Sequence, residues 1–189
     1  MTKESISVSN EVNMLPYLFV VIAVAARFMP HAGSFNFTPV AAALLFFGSR
    51  LDSRQMLVRR AWIPVALFAA SDVILTRFVY GYAIGFSDVV TWAWYAAIVC
   101  LGYLLASRVS VLRVGASSLL ASVTFFVVSN FMVWAGWTMY SHNLAGLMQC
   151  YAAAVPFFRN TAISDLLFSA IFFGLGALLP VARRAEERA

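Results

Sequence analysis

Asp72 is the residue with the strongest reason to do chemistry, because it stands inside a long apolar run, Ala61 to Tyr80, next to Ser71. An acid deep in a nonpolar medium is costly and normally faces a partner or a water-filled path. Three roles are open to it: an ion pair with Arg27, the lining of a solute site, or proton coupling. Arg27, within a turn of the end of the run Met14 to Met29, has a planar donor fork. That fork suits a carboxylate or an anionic ligand group, and from its position it can equally reach lipid headgroups. Asn130 offers a donor and an acceptor near the end of another run, as interhelical glue or as a ligand contact. Arg159, Asn160 and Asp165 cluster at the start of the last run, where an acid in a first helical turn is favoured by the dipole. Trp134, Trp137 and Tyr140 read as an interface belt or, turned inward, as flat walls for a ring-containing solute. Asn36, His142 and Asn143 complete this polar set.

Other chemistries lack their residues. There is no glycine-rich phosphate loop with its lysine, and no nucleophile elbow. His31 and His142 are single and without metal-ligand spacing to cysteine or acid, so no metal or cofactor is expected. Cys100 and Cys150 read as small apolar fillers, one inside a helix and one in a connection, and no disulfide is expected.

The elements that must position these groups are membrane helices. Of 189 residues, 62% are hydrophobic and 11% charged, against about 25% charged in an ordinary soluble domain. The net charge of +5 lies mostly beside apolar segments, where it suits an anionic membrane surface and not a nucleic acid. Residues 1–13 are polar and lack the basic start of a signal peptide. The pattern predicts helices at 14–29, at 38–50 (opening on Thr38 as a cap and Pro39 at the first helical position), and at 61–80, 89–106, 114–134 and 163–181. Trp92 and Trp94 fit interface anchors on the fourth helix. The second is too short to cross alone, at about 18 Å for its dozen residues, unless extended or shielded inside a bundle. Residues 144–155 are also too few to span, and with Gly146 inside and Pro156 after them they read as a surface or re-entrant helix. The small residues Ala41 to Ala43 and the pair Gly174 and Gly176 suit close helix packing within the bundle.

Charge sets the expected orientation. Arg50, Arg54, Arg59 and Arg60, then Arg108 and Arg113, then Arg183, Arg184 and Arg188 fall in every second gap between runs; the others hold Arg27, Arg77 and Arg159. Short cytoplasmic loops carry the Lys/Arg excess. Six crossings with both termini cytoplasmic place ten basic residues, counting Lys3, inside and three outside. The domain at 14–182 is thus an all-α, polytopic six-helix transmembrane bundle, followed by a charged tail at 183–189. The polar set falls in its outer half.

Arg27-Phe-Met-Pro-His31 with Asn36-Phe-Thr-Pro-Val40-Ala-Ala resembles the opening signature of a family of uncharacterised bacterial integral membrane proteins. So do Asn130 with Trp134, Met139-Tyr140 with Leu144-Ala-Gly-Leu147, and Pro156-Phe-Phe-Arg-Asn-Thr161 with Asp165. That family is more loosely similar to the substrate-binding S components of energy-coupling factor transporters, six-helix proteins that bind vitamins or related micronutrients from outside. The resemblance implies a plasma-membrane location, an outer solute site at Asn36, Asn130, Tyr140, His142, Asn143, Arg159 and Asn160, a transmembrane coupling protein and two ATP-binding subunits. S components show alanines four apart on the first helix, for docking the coupling protein; here Ala23 and Ala26 are three apart.

The functional expectation is binding of a small solute and its delivery inward by reorientation, without covalent chemistry, under a cover formed by Tyr140 to Phe158. The alternatives are a structural or assembly protein whose polar groups are glue, and a membrane enzyme using Asp72, His142 or Asp165.

Overall fold

The structure, a computed structural model, describes the backbone of residues 3–29 and 36–186 and the side chains of residues 14–29 and 36–178. His31 and the basic residues 183–189 lie outside those described side chains. Every regular element among the described residues is helical. The helices are α1 (Lys3–Ala26), α2 (Val40–Ser49), α3 (Arg54–Arg60), α4 (Trp62–Ile74), α5 (Phe86–Leu105), α6 (Val111–Gly136) and α7 (Leu144–Glu186), and α4 runs on into a π-helical turn, Leu75–Val79. Among the described residues, four stretches are long and apolar enough to cross a membrane: Arg54–Val79, Phe86–Leu105, Val111–Gly136 and Leu144–Leu178. Met14–Ala26 and Val40–Ser49 are shorter apolar helices. The chain is a polytopic, all-α membrane bundle.

Local chemistry sets most boundaries. Ser53 caps α3 by accepting from the Met56 N–H, and Ser110 caps α6 by accepting from the Arg113 N–H. Asp88, in the first turn of α5, accepts from the Gly85 N–H at 2.8 Å. Pro64 explains why α3 and α4 part at Ala61: its ring conflicts with the carbonyl four residues back and it has no N–H to give. α2 departs from expectation at its start. Pro39, not Thr38, is the capping position, and no side chain caps the helix. Ala43 N–H bonds the Pro39 carbonyl instead.

The centre of the bundle is α2. All ten of its residues are buried, which resolves its length problem: a helix of about 15 Å cannot cross, but sheathed by α1, α5 and α7 it never meets lipid. Ala41 to Ala43 are at most 3% exposed, so these small residues are used within the bundle. Phe46 of α2 meets Phe19 and Phe173 edge-on, and the Phe19 and Phe172 rings stack with centroids 4.2 Å apart. The closest approach is between α2 and α5, at Gly48 and Gly102. A Cβ on Gly48 would overlap the Val99 carbonyl oxygen, and one on Gly102 would overlap that of Leu45. Two glycines therefore allow backbone-to-backbone contact, the packing mode that membrane helices favour.

The last helix corrects the expectation of a separate helix at 144–155. Residues 144–186 form one helix of 43 residues, roughly 64 Å long, with Pro156 inside it. Phe126 of α6 packs against Tyr151 and Phe158, at 5.5 and 5.0 Å between ring centroids, one on each side of the proline. The Tyr151 hydroxyl also donates to the Val127 carbonyl at 2.7 Å. These contacts hold both halves of α7 in line, so the proline costs one backbone hydrogen bond without breaking the helix. Cys150 accordingly lies buried on a helix, not in a connection, and both cysteines are free.

Candidate functional site

A cavity of about 670 Å³ opens at one end of the bundle. It collects the turn that follows α1 (Arg27, Phe28, Met29), the entry to α2 (Asn36, Thr38, Val40, Ala41), the end of α4 with its π turn (Asp72, Leu75, Thr76, Val79, Tyr80), Trp94 and Tyr95 of α5, Phe125 of α6, and Thr161 and Asp165 of α7. The cavity borders the start of α2, and the Gly48–Gly102 crossing brings the far end of α2 beside the end of α5, so the connections carrying Arg50 to Arg60 and Arg108 to Arg113 fall together at the opposite end. The π turn, closed by Tyr80 N–H to the Leu75 carbonyl at 2.9 Å, widens the end of α4 where it borders the cavity. Asn36 enters with φ 62°, the left-handed region that asparagine tolerates better than most residues.

Asp72, 8% exposed, is the hub of one polar cluster. It forms an ion pair with Arg27. It also accepts from Trp92 Nε1 at 3.0 Å and from the Tyr95 hydroxyl at 3.4 Å. Arg27 donates further to Ser71 Oγ at 2.7 Å. Thus α1, α4 and α5 are joined at a single carboxylate, and of the roles open to Asp72 the ion pair with Arg27 is observed.

A second cluster joins α6 to α7. Ser122 donates to Asp165 Oδ2 at 2.6 Å, and one turn away the Ser118 hydroxyl bonds that of Ser169 at 2.7 Å. Ser122, Ser118 and Ser169 are at most 1% exposed and Asp165 3%. Between the clusters, Trp94 Nε1 donates to Thr124 Oγ1 at 3.1 Å and ties α5 to α6. The polar ties thus run α1–α4–α5–α6–α7 around an apolar central helix.

Of the residues singled out from sequence, the cavity gathers Arg27, Asn36, Asp72 and Asp165. The others lie elsewhere. Asn130 donates to the Phe126 carbonyl of its own helix. Trp134 donates to the Ser141 carbonyl and packs edge-on against His142, whose Nε2 lies 3.2 Å from the Trp137 carbonyl oxygen. Asn143 caps α7 by accepting from the Gly146 N–H at 2.9 Å. Tyr140 is half-buried in the same α6–α7 connection, and Arg159 and Asn160 sit on α7 away from the cavity lining. His142 is therefore not brought together with Asp72 and Asp165. The segment 140–158 contributes no lining residue either, so the expected cover is replaced by a helix packed along α6.

Sequence reasoning missed the aromatic walls. Trp92 and Trp94, expected as interface anchors, instead hydrogen-bond inward, and Trp94 is 9% exposed. The signals were present: Trp92 and Tyr95 are three apart, Ser118 and Ser122 four apart, and Asp165 and Ser169 four apart. Each spacing puts a pair on one helix face. Ala23 is fully buried, so it packs inside the bundle and presents nothing to a partner.

A small helical membrane bundle with a polar-edged cavity at one end is the class that these features define. The chain belongs to a family of unknown function, DUF6580, whose model matches residues 8–187. No curated protein and no solved structure matches it.

Proposed function

We propose that the buried polar groups of this bundle act first as interhelical ties, in a membrane protein whose role is structural or organisational. The observation that carries this reading is the spending of polar partners on one another: Asp72 on Arg27, Trp92 and Tyr95, and Asp165 on Ser122. Breaking a buried ion pair from one side leaves an uncompensated charge, at about 3–5 kcal/mol, whereas removing both members costs far less. The test is a cycle of Arg27→Gln, Asp72→Asn and the double variant, with thermal unfolding followed in detergent. Each single variant should unfold at lower temperature, and the double should recover part of the loss. Single variants as stable as the wild type would refute the tie.

A second reading, favoured by the cavity, is that the bundle binds a small solute and takes part in its uptake. A cavity of about 670 Å³ with aromatic walls and few polar groups falls within the usual range for small-molecule sites, about 300–1,000 Å³. The resemblance to S components supports this reading, and with it six crossings, cytoplasmic termini in a bacterial plasma membrane, a coupling protein and ATP-binding subunits. Native mass spectrometry tests it. The wild type should retain a small molecule that a Thr76→Trp variant, with its cavity filled, does not. Identical spectra for the two proteins would count against solute binding.

A further inference from the structure

The charges lining the cavity are unequally compensated. Arg27 and Asp72 neutralise each other, and Arg27 is held further by Ser71. Asp165, on the α7 wall, has a hydroxyl partner but no cation among the described residues. It is 3% exposed and surrounded by apolar helices, where a carboxylate without a cation is costly. The charge that an anionic solute would read on Arg27 is already offset by Asp72. A cationic group meets Asp165 with no ion pair to break, because the partner of that carboxylate is the Ser122 hydroxyl.

The rest of the lining points the same way. Trp94, Tyr95 and Phe125 border the cavity, and the Trp94 ring centroid lies 4.9 Å from that of Phe125 and 5.9 Å from that of Tyr95. Aromatic faces attract cations through their quadrupole and stack flat rings. Thr161, one turn from Asp165 on the same wall, adds a hydroxyl within the lining.

Resting on the solute-binding reading above, we infer that the cavity selects a cationic, ring-bearing small molecule, with Asp165 meeting its positive charge and Trp94, Tyr95 and Phe125 enclosing its ring. Arg27 and Asp72 then serve as the rigid edge of the site and not as its charge-reading groups.

The experiment is calorimetric titration of the full-length protein in lipid nanodiscs, blanked against empty nanodiscs, with three matched probes. These are 2-phenylethylamine (a cation at pH 7), neutral 2-phenylethanol and anionic phenylacetate. The wild type should bind the amine at least about tenfold more tightly than the alcohol, the worth of one charge-assisted hydrogen bond. Asp165→Asn keeps the shape and should bring that ratio close to one. Ser122→Ala leaves the acid in place and should keep the preference. Equal binding of amine and alcohol, preference for phenylacetate, or an unchanged ratio in Asp165→Asn overturns the inference. Should Asp165→Asn fail to assemble, the wild-type ranking decides alone. A neutral or anionic molecule retained in native mass spectrometry would overturn the charge preference while supporting the cavity as a solute site.

Discussion

Replacing Gly48 with alanine tests the architecture at its tightest point. The added Cβ would overlap the Val99 carbonyl oxygen, and it would also lie 2.9 Å from the Tyr103 nitrogen and 3.0 Å from the Gly102 Cα. All three obstacles are backbone, so no rotamer change relieves them; α2 and α5 must separate by about 1 Å. That separation loosens a central helix whose residues Ala42 to Phe46 are 0% exposed. Overpacking of a filled core costs about 1–3 kcal/mol, and a purely backbone obstruction belongs at the upper end, about 3 kcal/mol. Gly102→Ala meets the Leu45 backbone across the same crossing, so one displacement accommodates both methyl groups. The double variant should therefore lose much less than the sum of the two single losses. Gly115 and Gly174 have nothing within 4 Å of an added Cβ, and alanine there should be neutral or stabilising by up to about 1 kcal/mol. The assay is thermal unfolding of the four single variants and the double in one detergent. Gly48→Ala unfolding with Gly115→Ala at the wild-type temperature, or strictly additive losses at Gly48 and Gly102, would refute the close crossing.

Asn143→Ala removes the cap of α7 and should destabilise by about 1 kcal/mol; since Asn143 lies away from the cavity, solute retention should be unchanged, and loss of retention in a stable variant would move the site to the α6–α7 connection. Cysteines placed at residues 55 and 110 for impermeant labelling should react from one side of the membrane and a cysteine at residue 84 from the other, because the α2–α3 and α5–α6 connections share the end opposite the cavity; labelling of 55 and 110 from opposite sides would break the helix alternation.

The helices at 61–80, 89–106 and 114–134 were legible to within about three residues, and the ion pair of Arg27 with Asp72 was among the readings open from sequence. The site as a whole was only half legible. Arg27, Asn36, Asp72 and Asp165 meet the cavity, whereas Asn130, Trp134, Tyr140, His142, Asn143, Arg159 and Asn160 do not line it. Depth follows from position along a segment, but facing depends on rotation about the helix axis. Hydropathy reports that rotation weakly when a helix is apolar all round.

Membrane residence and the periodic placement of arginines were decided by the amino-acid sequence alone, because each segment partitions between water and lipid by its own composition. Only tertiary structure decided that α2 is wholly sheathed, that Pro156 is carried inside a continuous α7, and that Trp94, Tyr95, Phe125 and Asp165 border one cavity. Those outcomes depend on which helix faces which, through the Gly48–Gly102 crossing and the packing of Phe126 on both sides of Pro156. Contacts between segments distant in the chain leave no periodic trace within any one of them.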